Sequence, residues 1–302
     1  MAARAGDAMT RSIAAGGLIV LGTTVAIALG QPTFRSGVDV VNIDVSVMNG
    51  LSPVPGLTIE QFAITDNGVP QEVQSVSLDT VPLSLTIVLD TSGSMEGERL
   101  RDLIDAGQTL VKSLRAEDAA ALITFAESVQ FKVAVTHDRE RLLASLKGLN
   151  AAGFTSLNDA FFLAMQLRPI ETFESRPVVL VFSDGHDNTS WLSAAQLLEA
   201  TRRSRTLIHV VELVGASTGS FFSPSPVLGD LASAGGGRRW TAQSSRDLRD
   251  LFGKVLNELR SRYLLSYTPK AVAREGWHDV KVTLKGARGD VTARPGYFVA
   301  PQ

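Results

Sequence analysis

The chain contains no cysteine in 302 residues. That absence removes disulfide frameworks, thiol catalysis, iron–sulfur clusters, cysteine-held zinc and the lipid-modified cysteine of a bacterial lipoprotein. An excess of one charge is missing too, since 29 basic residues stand against 31 acidic ones. No basic stripe is available to neutralise phosphates, which argues against a nucleic-acid partner. Histidine is scarce, and His137, His186, His209 and His278 are too scattered to suggest a metal triad. Any metal must be held by oxygen or histidine. What is present, 44% hydrophobic and 20% charged residues, is the composition of a folded globular protein.

The N-terminus reads as an address. Arg4 and Arg11 precede a run from Ser12 to Gly30 that carries no charge, and small residues at Ala28 and Gly30 precede Gln31. This is the pattern of a secretory signal peptide over residues 1–30, with export to a periplasm or the extracellular space as its consequence. The run is at the short limit for spanning a bilayer, so a membrane attachment would require that it stay uncleaved as an anchor.

Hydrophobic rhythm divides the rest. Val41, Ile43, Val45 and Val47 alternate with polar residues, as a strand with one wet face does, and Phe62 and Ile64 begin a second such run that ends in the hairpin turn Asp66-Asn67-Gly68. The same period of two returns in Tyr263 to Tyr267, in Val280 to Leu284 and in a last strand from Val291 to Val299. Two or three short strands with open edges are rarely stable alone, so the flanks, 35–81 and 263–300, are expected to pair into one small β-sandwich. Between them, 82–262 alternates continuous apolar strands (Leu83 to Leu89, Ala119 to Phe125, Pro177 to Phe182, Thr206 to Leu213) with helical stretches, of which the last runs from Leu248 to Tyr263. Such strands have no wet face. They imply an α/β, Rossmann-like, doubly wound and mostly parallel sheet covered on both sides and inserted in the sandwich. Sites in such sheets lie at the carboxyl ends of the strands.

Three segments place oxygen-bearing side chains just past such strand ends or at the start of the next helix. They are Asp90-Thr91-Ser92-Gly93-Ser94, Gly153-Phe154-Thr155-Ser156-Leu157 and Ser183-Asp184-Gly185. The hydroxyls of Ser92, Ser94 and Thr155 and the carboxylates of Asp90 and Asp184 are hard donors suited to Mg²⁺, Mn²⁺ or Ca²⁺. Asp-x-Ser-x-Ser alone is weak evidence, because strand-to-helix turns favour such residues as caps. In this order on an alternating α/β background, the three segments resemble the metal-ion-dependent adhesion site of a von Willebrand factor A domain. The resemblance runs from about Pro82 to Tyr263 and is nearest to an exported bacterial group with β-strands on both flanks. It implies that the three hydroxyls touch the metal while the aspartates act through water, which leaves a position for a Glu or Asp carboxylate from a protein partner. It implies binding and scaffolding, not catalysis.

The rim of this face is expected to include Met95, Glu96, Phe154, His186, Trp191, Phe221 and Phe222, with Asn158 and Asp159 capping the following helix and Asp187 and Asn188 in a turn. Two enzymatic alternatives have a sequence basis. Gly215-Ala216-Ser217-Thr218-Gly219 fits the Gly-x-Ser-x-Gly elbow of serine hydrolases, with Asp230 and His278 later in the chain. The segment from Ser220 to Pro226 cannot form the helix that an elbow requires. A phosphoaspartyl transferase would use Asp90, but such enzymes commonly carry a second acid two residues on, where this chain has Ser92.

Overall fold

Alternating residues in the first flank build β1 (Val41–Asn49), β2 (Ser52–Pro53), β3 (Phe62–Asp66), β4 (Val69–Gln71) and β5 (Ser75–Leu78). The central region follows as β6 (Leu83–Asp90), α1 (Glu98–Ser113), β7 (Ala119–Phe125), β8 (Val129–Thr136), α2 (Arg139–Lys147), α3 (Leu157–Gln166) and β9 (Arg176–Ser183). It continues with α4 (Ala194–Arg203), β10 (Leu207–Leu213), α5 (Pro226–Ala234), β11 (Arg239–Ala242) and α6 (Leu248–Leu259). The second flank is β12 (Tyr263–Tyr267), β13 (Gly276–Leu284), β14 (Asp290–Ala293) and β15 (Gly296–Val299). The computed structural model describes residues 40–78, 81–167, 175–214 and 225–301. The leader expected over 1–30, Ser217 and the Phe221–Phe222 pair lie outside the described residues.

The central sheet has the order β11-β10-β9-β6-β7-β8, parallel throughout except for the β7–β8 pair. Every residue of β6 is buried, as expected of a strand covered by helices on both faces. One face packs against α1, α2 and α6, with Leu85, Ile87 and Leu89 among its side chains. The other packs Val88, Val179 and Val181 against α3 and neighbouring helices. The chain leaves β6 for β7 on one side and returns as β9 on the other, so the sheet's topological switch point lies at the carboxyl ends of β6 and β9.

The flanks form two further sheets, one of order β14-β1-β12-β5 with β2 on β1, the other β15-β13-β3-β4. Their shared core includes Val45, Ile64, Leu265 and Val282. Asn67 (φ 48) and Gly68 (φ 79) both take left-handed conformations in the β3–β4 hairpin turn, the backbone that a two-residue turn requires.

Three expectations are corrected. The wet face of β1 is covered in its second half, where Ser46 and Met48 are buried and Met48 joins the α/β core. The last helix stops at Leu259, and Tyr263 already pairs with Val45 in the sandwich. The single strand expected from Val291 to Val299 is two, β14 on β1 and β15 on β13, divided at Pro295, which has no N–H to give a ladder.

A buried charged seam joins sandwich to α/β layer. Arg262, between α6 and β12, donates to Glu258 Oε1 on α6 (2.5 Å), to Asp44 Oδ1 on β1 (2.6 Å) and to the Gly236 carbonyl (2.8 Å). Arg176 Nε lies 2.6 Å from Asp44 Oδ2. His209 Nε2 is 3.2 Å from Glu258 Oε2. The Trp240 indole N–H points at His209 Nδ1 at 3.2 Å, which leaves that nitrogen as the acceptor and the proton of a neutral ring on Nε2.

Candidate metal centre

Asp90 ends β6 and is fully buried. Its Oδ1 accepts hydrogen bonds from the Ser92 backbone N–H (2.9 Å) and the Ser92 hydroxyl (2.5 Å), and its Oδ2 accepts from the Ser183 hydroxyl (2.7 Å) at the end of β9. Ser94 Oγ stands 3.1 Å from Ser92 Oγ. Because the Ser92 proton is committed to Asp90, Ser94 is the donor in that pair. Asp90 and Ser92 do not cap α1, whose N-terminus begins at Gly97 with no side-chain cap.

The second segment is fastened beside the first. The Gly93 N–H donates to the Gly153 carbonyl (3.0 Å), and a Cβ on Gly93 would stand only 3.3 Å from that oxygen. Gly153 itself has φ 80, a conformation that favours glycine. Thr155 is nearly buried, and its backbone N–H donates to Asn188 Oδ1 (2.8 Å) while its carbonyl accepts from the N–H groups of Asn188 and Thr189. In the third segment, Asp184 lies close enough for its charge to act on Asp90, and its Oδ1 is 3.1 Å from His186 Nδ1. Gly185 follows at φ 88, with the Glu212 carboxylate 3.0 Å from where a Cβ would be.

Hydrogen bonds therefore join Asp90, Ser92 and Ser94 directly. Thr155 is held beside them through Gly153, and Asp184 is coupled to them by its field. Among the described residues, no Lys or Arg forms an ion pair with Asp90. Burial pushes its carboxyl up to about 6, against the hydrogen bonds from Ser92 and Ser183, and the Asp184 charge adds to the rise. The donor set fits a hard divalent cation: three hydroxyls and two carboxylates, one of them buried without a counter-ion. Among the described residues no three His, Asp or Glu side chains converge as metal ligands.

Two contributors escape sequence reasoning. Ser183 bridges Asp90 to the third segment, and its oxygen also accepts from the Gly185 N–H (3.0 Å). Glu212, the one acid in β10, is buried behind Gly185; burial raises its pKa, against the Ser225 N–H and Arg239. An acid in an apolar strand was the available signal.

The rim differs in part from expectation. Met95 is core. Glu96 and His186 are exposed, Phe154 is 60% exposed and Trp191 96% exposed. Asp159 does not cap its own helix; its carboxylate accepts the N–H groups of Trp191 and Leu192, both at 3.0 Å. The cap comes from Asp187, whose Oδ1 accepts the Leu157 N–H (3.1 Å) and whose Oδ2 accepts from the Asn158 amide (2.6 Å). Of the hydrolase partners, His278 is buried in the sandwich with Nδ1 2.9 Å from Asp66, and Asp230 lies on α5.

Comparison with known proteins agrees with this layout. The family profile of the von Willebrand factor type A domain matches residues 85–186. Inter-alpha-trypsin inhibitor heavy chain H4 of Bos taurus is 25% identical over 226 residues, and the Homo sapiens protein 24% over 225; each match covers 70% of this chain and 24% of the relative. The chain thus spans about a quarter of the length of the curated relatives it matches. Among solved structures, a von Willebrand factor type A protein from Catenulispora acidiphila superposes with a TM-score of 0.52 at 13% identity, over 83% of this chain and 74% of that one. Proximal thread matrix protein 1 from the mussel byssus, solved with zinc in its metal-ion-dependent adhesion site, gives 0.51 at 16% identity over 64% of this chain and 49% of that one. The profile match runs over the strands and loops that carry Asp90, Thr155 and Asp184, so that residues 85–186 of this chain match the von Willebrand factor type A domain, and the sheet around them has the fold of those solved structures.

Proposed function

We propose that this protein is an exported binding protein, not an enzyme, that recognises a protein partner through a divalent cation. Asp90, Ser92, Ser94, Thr155 and Asp184 would hold the cation, with Mg²⁺ the first choice and Mn²⁺ or Ca²⁺ as substitutes. The buried Asp90 carboxylate, surrounded by hydroxyls and left without a protein cation among the described residues, carries this reading. The zinc held at the corresponding motif of the mussel protein supports it. Bound there, the cation supplies positive charge for an Asp or Glu carboxylate of the partner, because few anionic ligands offset it.

The residues themselves do the positioning. Ser183 and the Ser92 N–H hold the Asp90 carboxylate, Asp90 orients the Ser92 hydroxyl, and the Gly93–Gly153 bond keeps Thr155 beside them. We place the metal-binding domain at 82–262 and read the sandwich of 35–81 and 263–300 as the platform that presents it. Export rests on the leader pattern of 1–30. Among the described residues no helix is long and apolar enough to cross a membrane.

The test is thermal unfolding with excess Mg²⁺ or Mn²⁺ against EDTA, for the protein and for Ser94→Ala with Asp184→Asn. A cation at a hundred times its Kd stabilises by about 2.7 kcal/mol, a shift of several degrees that the double variant should lose while keeping its fold. Identical melting of the unaltered protein in cation and in EDTA would overturn the reading.

A further inference from the structure

The rim holds an aromatic group whose exposure the fold itself maintains. Trp191 is 96% exposed, yet the segment that carries it is braced from both ends of its length. The Trp191 and Leu192 N–H groups are bound to Asp159, the Ser190 hydroxyl donates to Asp187 (2.7 Å), and the Asn158 amide donates to both Asp187 and the Leu192 carbonyl (3.0 Å). Through Asn188 and Thr189 the same segment is bonded to the backbone of Thr155. A large indole held in water by a pre-ordered loop is an arrangement that favours binding, because little ordering cost remains when a partner covers it.

Trp191 also lines two hollows, of about 380 and 610 Å³. The first reaches Glu127, which lies against Gly153, and the second reaches Gly185, next to Asp184. Among the described residues their walls carry Glu127, Asp159 and Asp187 and no Lys or Arg. Glu127 makes no ion pair or hydrogen bond among the described residues. Acidic walls around an indole face are complementary to a basic side chain, which a tryptophan attracts through its ring quadrupole.

We propose that the partner segment carries a lysine or arginine close to its metal-seeking carboxylate, and that this basic group stacks on Trp191 beside Glu127. The proposal rests on the cation-site reading above and adds the second half of the recognition motif. The metal takes the acid, and the Trp191 hollow takes the base.

The probe is an array of synthetic decapeptides with one central Asp and one Arg stepped through the other positions, each paired with a norleucine replacement of that Arg. Binding is measured in Mg²⁺ and in EDTA. At one or more spacings the Arg peptide should bind about five-fold or more better than its norleucine twin in Mg²⁺. Trp191→Ala and Glu127→Gln should each erase most of that preference and leave the Mg²⁺-induced melting shift intact. Equal binding of Arg and norleucine peptides at all spacings, a preference unchanged in both variants, or no peptide binding while the melting shift is present would each overturn the proposal. Loss of the melting shift in the unaltered protein would instead overturn the cation site. The exposed position of Trp191 makes Trp191→Ala compatible with folding.

Discussion

Asp90 and Glu258 are both acids sealed inside the protein, and their surroundings differ in one respect. Glu258, at the seam between sandwich and α/β layer, would be pushed up by burial, but Arg262 and His209 outweigh that and hold its carboxyl below the usual range. Asp90, at the switch point of the sheet, has only hydroxyls and an N–H against the burial penalty and rises to about 6. Where the fold needs a permanent joint, it supplies the cation from its own sequence. At the loop face it leaves the carboxylate uncompensated, and that is the condition under which an external cation gains most from binding.

The largest effect is expected from breaking the joint. Arg262→Met leaves the sealed Glu258 and the half-buried Asp44 with one fewer positive partner, and removal of one member of a buried ion pair costs about 3–5 kcal/mol. Urea unfolding should show this loss, and adding Glu258→Leu should recover a large part of it. A loss under about 1 kcal/mol would mean that the seam is not a structural joint.

Acid should separate the two regions next, because their titrations have opposite signs. Burial lowers His209 to about 4, with Arg262 and Arg238 adding to this and Glu258 and Asp44 opposing it. An unfolded histidine protonates near pH 6.5, so the unfolded state binds a proton that the folded state refuses, and stability falls as pH drops from about 6.5 to about 4, by roughly 3 kcal/mol. His209→Gln should flatten this slope in denaturation series across that window.

Asp90 works the other way. Its folded form keeps a proton up to about pH 6, so the stability that proton supplies is present below about pH 4 and lost as pH rises through 6. Without a bound cation at pH 8, Asp90→Asn should therefore hold or raise stability, by up to about 3 kcal/mol, while it abolishes any stabilisation by Mg²⁺. A large loss of stability in EDTA would place Asp90 with the joint instead.

Asp90, Ser92, Ser94 and Asp184 were legible because they follow β6 and β9 in short polar segments whose positions strand periodicity located, and Thr155, between α2 and α3, because it stands in a polar segment at the start of a helix. Asp90, Ser92 and Ser94 lie within five residues of chain, so one turn brings them together. The bracing was not legible. Ser183 serves Asp90 from a strand 93 residues away, and Asp187 caps a helix that begins 30 residues before it. Asn158 and Asp159 sit where a helix cap belongs, yet tertiary contact turns them toward the Trp191 segment. Met95 sits in a polar loop but fills the core, which composition around it concealed.

By itself the sequence determined the α/β core, the β-rich flanks and the order of the three oxygen-bearing segments, because periodicity and strand-end chemistry are local properties. The tertiary structure alone decided which acids receive a counter-charge. Arg262 reaches Asp44 across 218 residues, whereas Asp90 receives only hydroxyls and an N–H. Burial and pairing depend on what distant segments bring to a point in space, and no spacing along the chain encodes that.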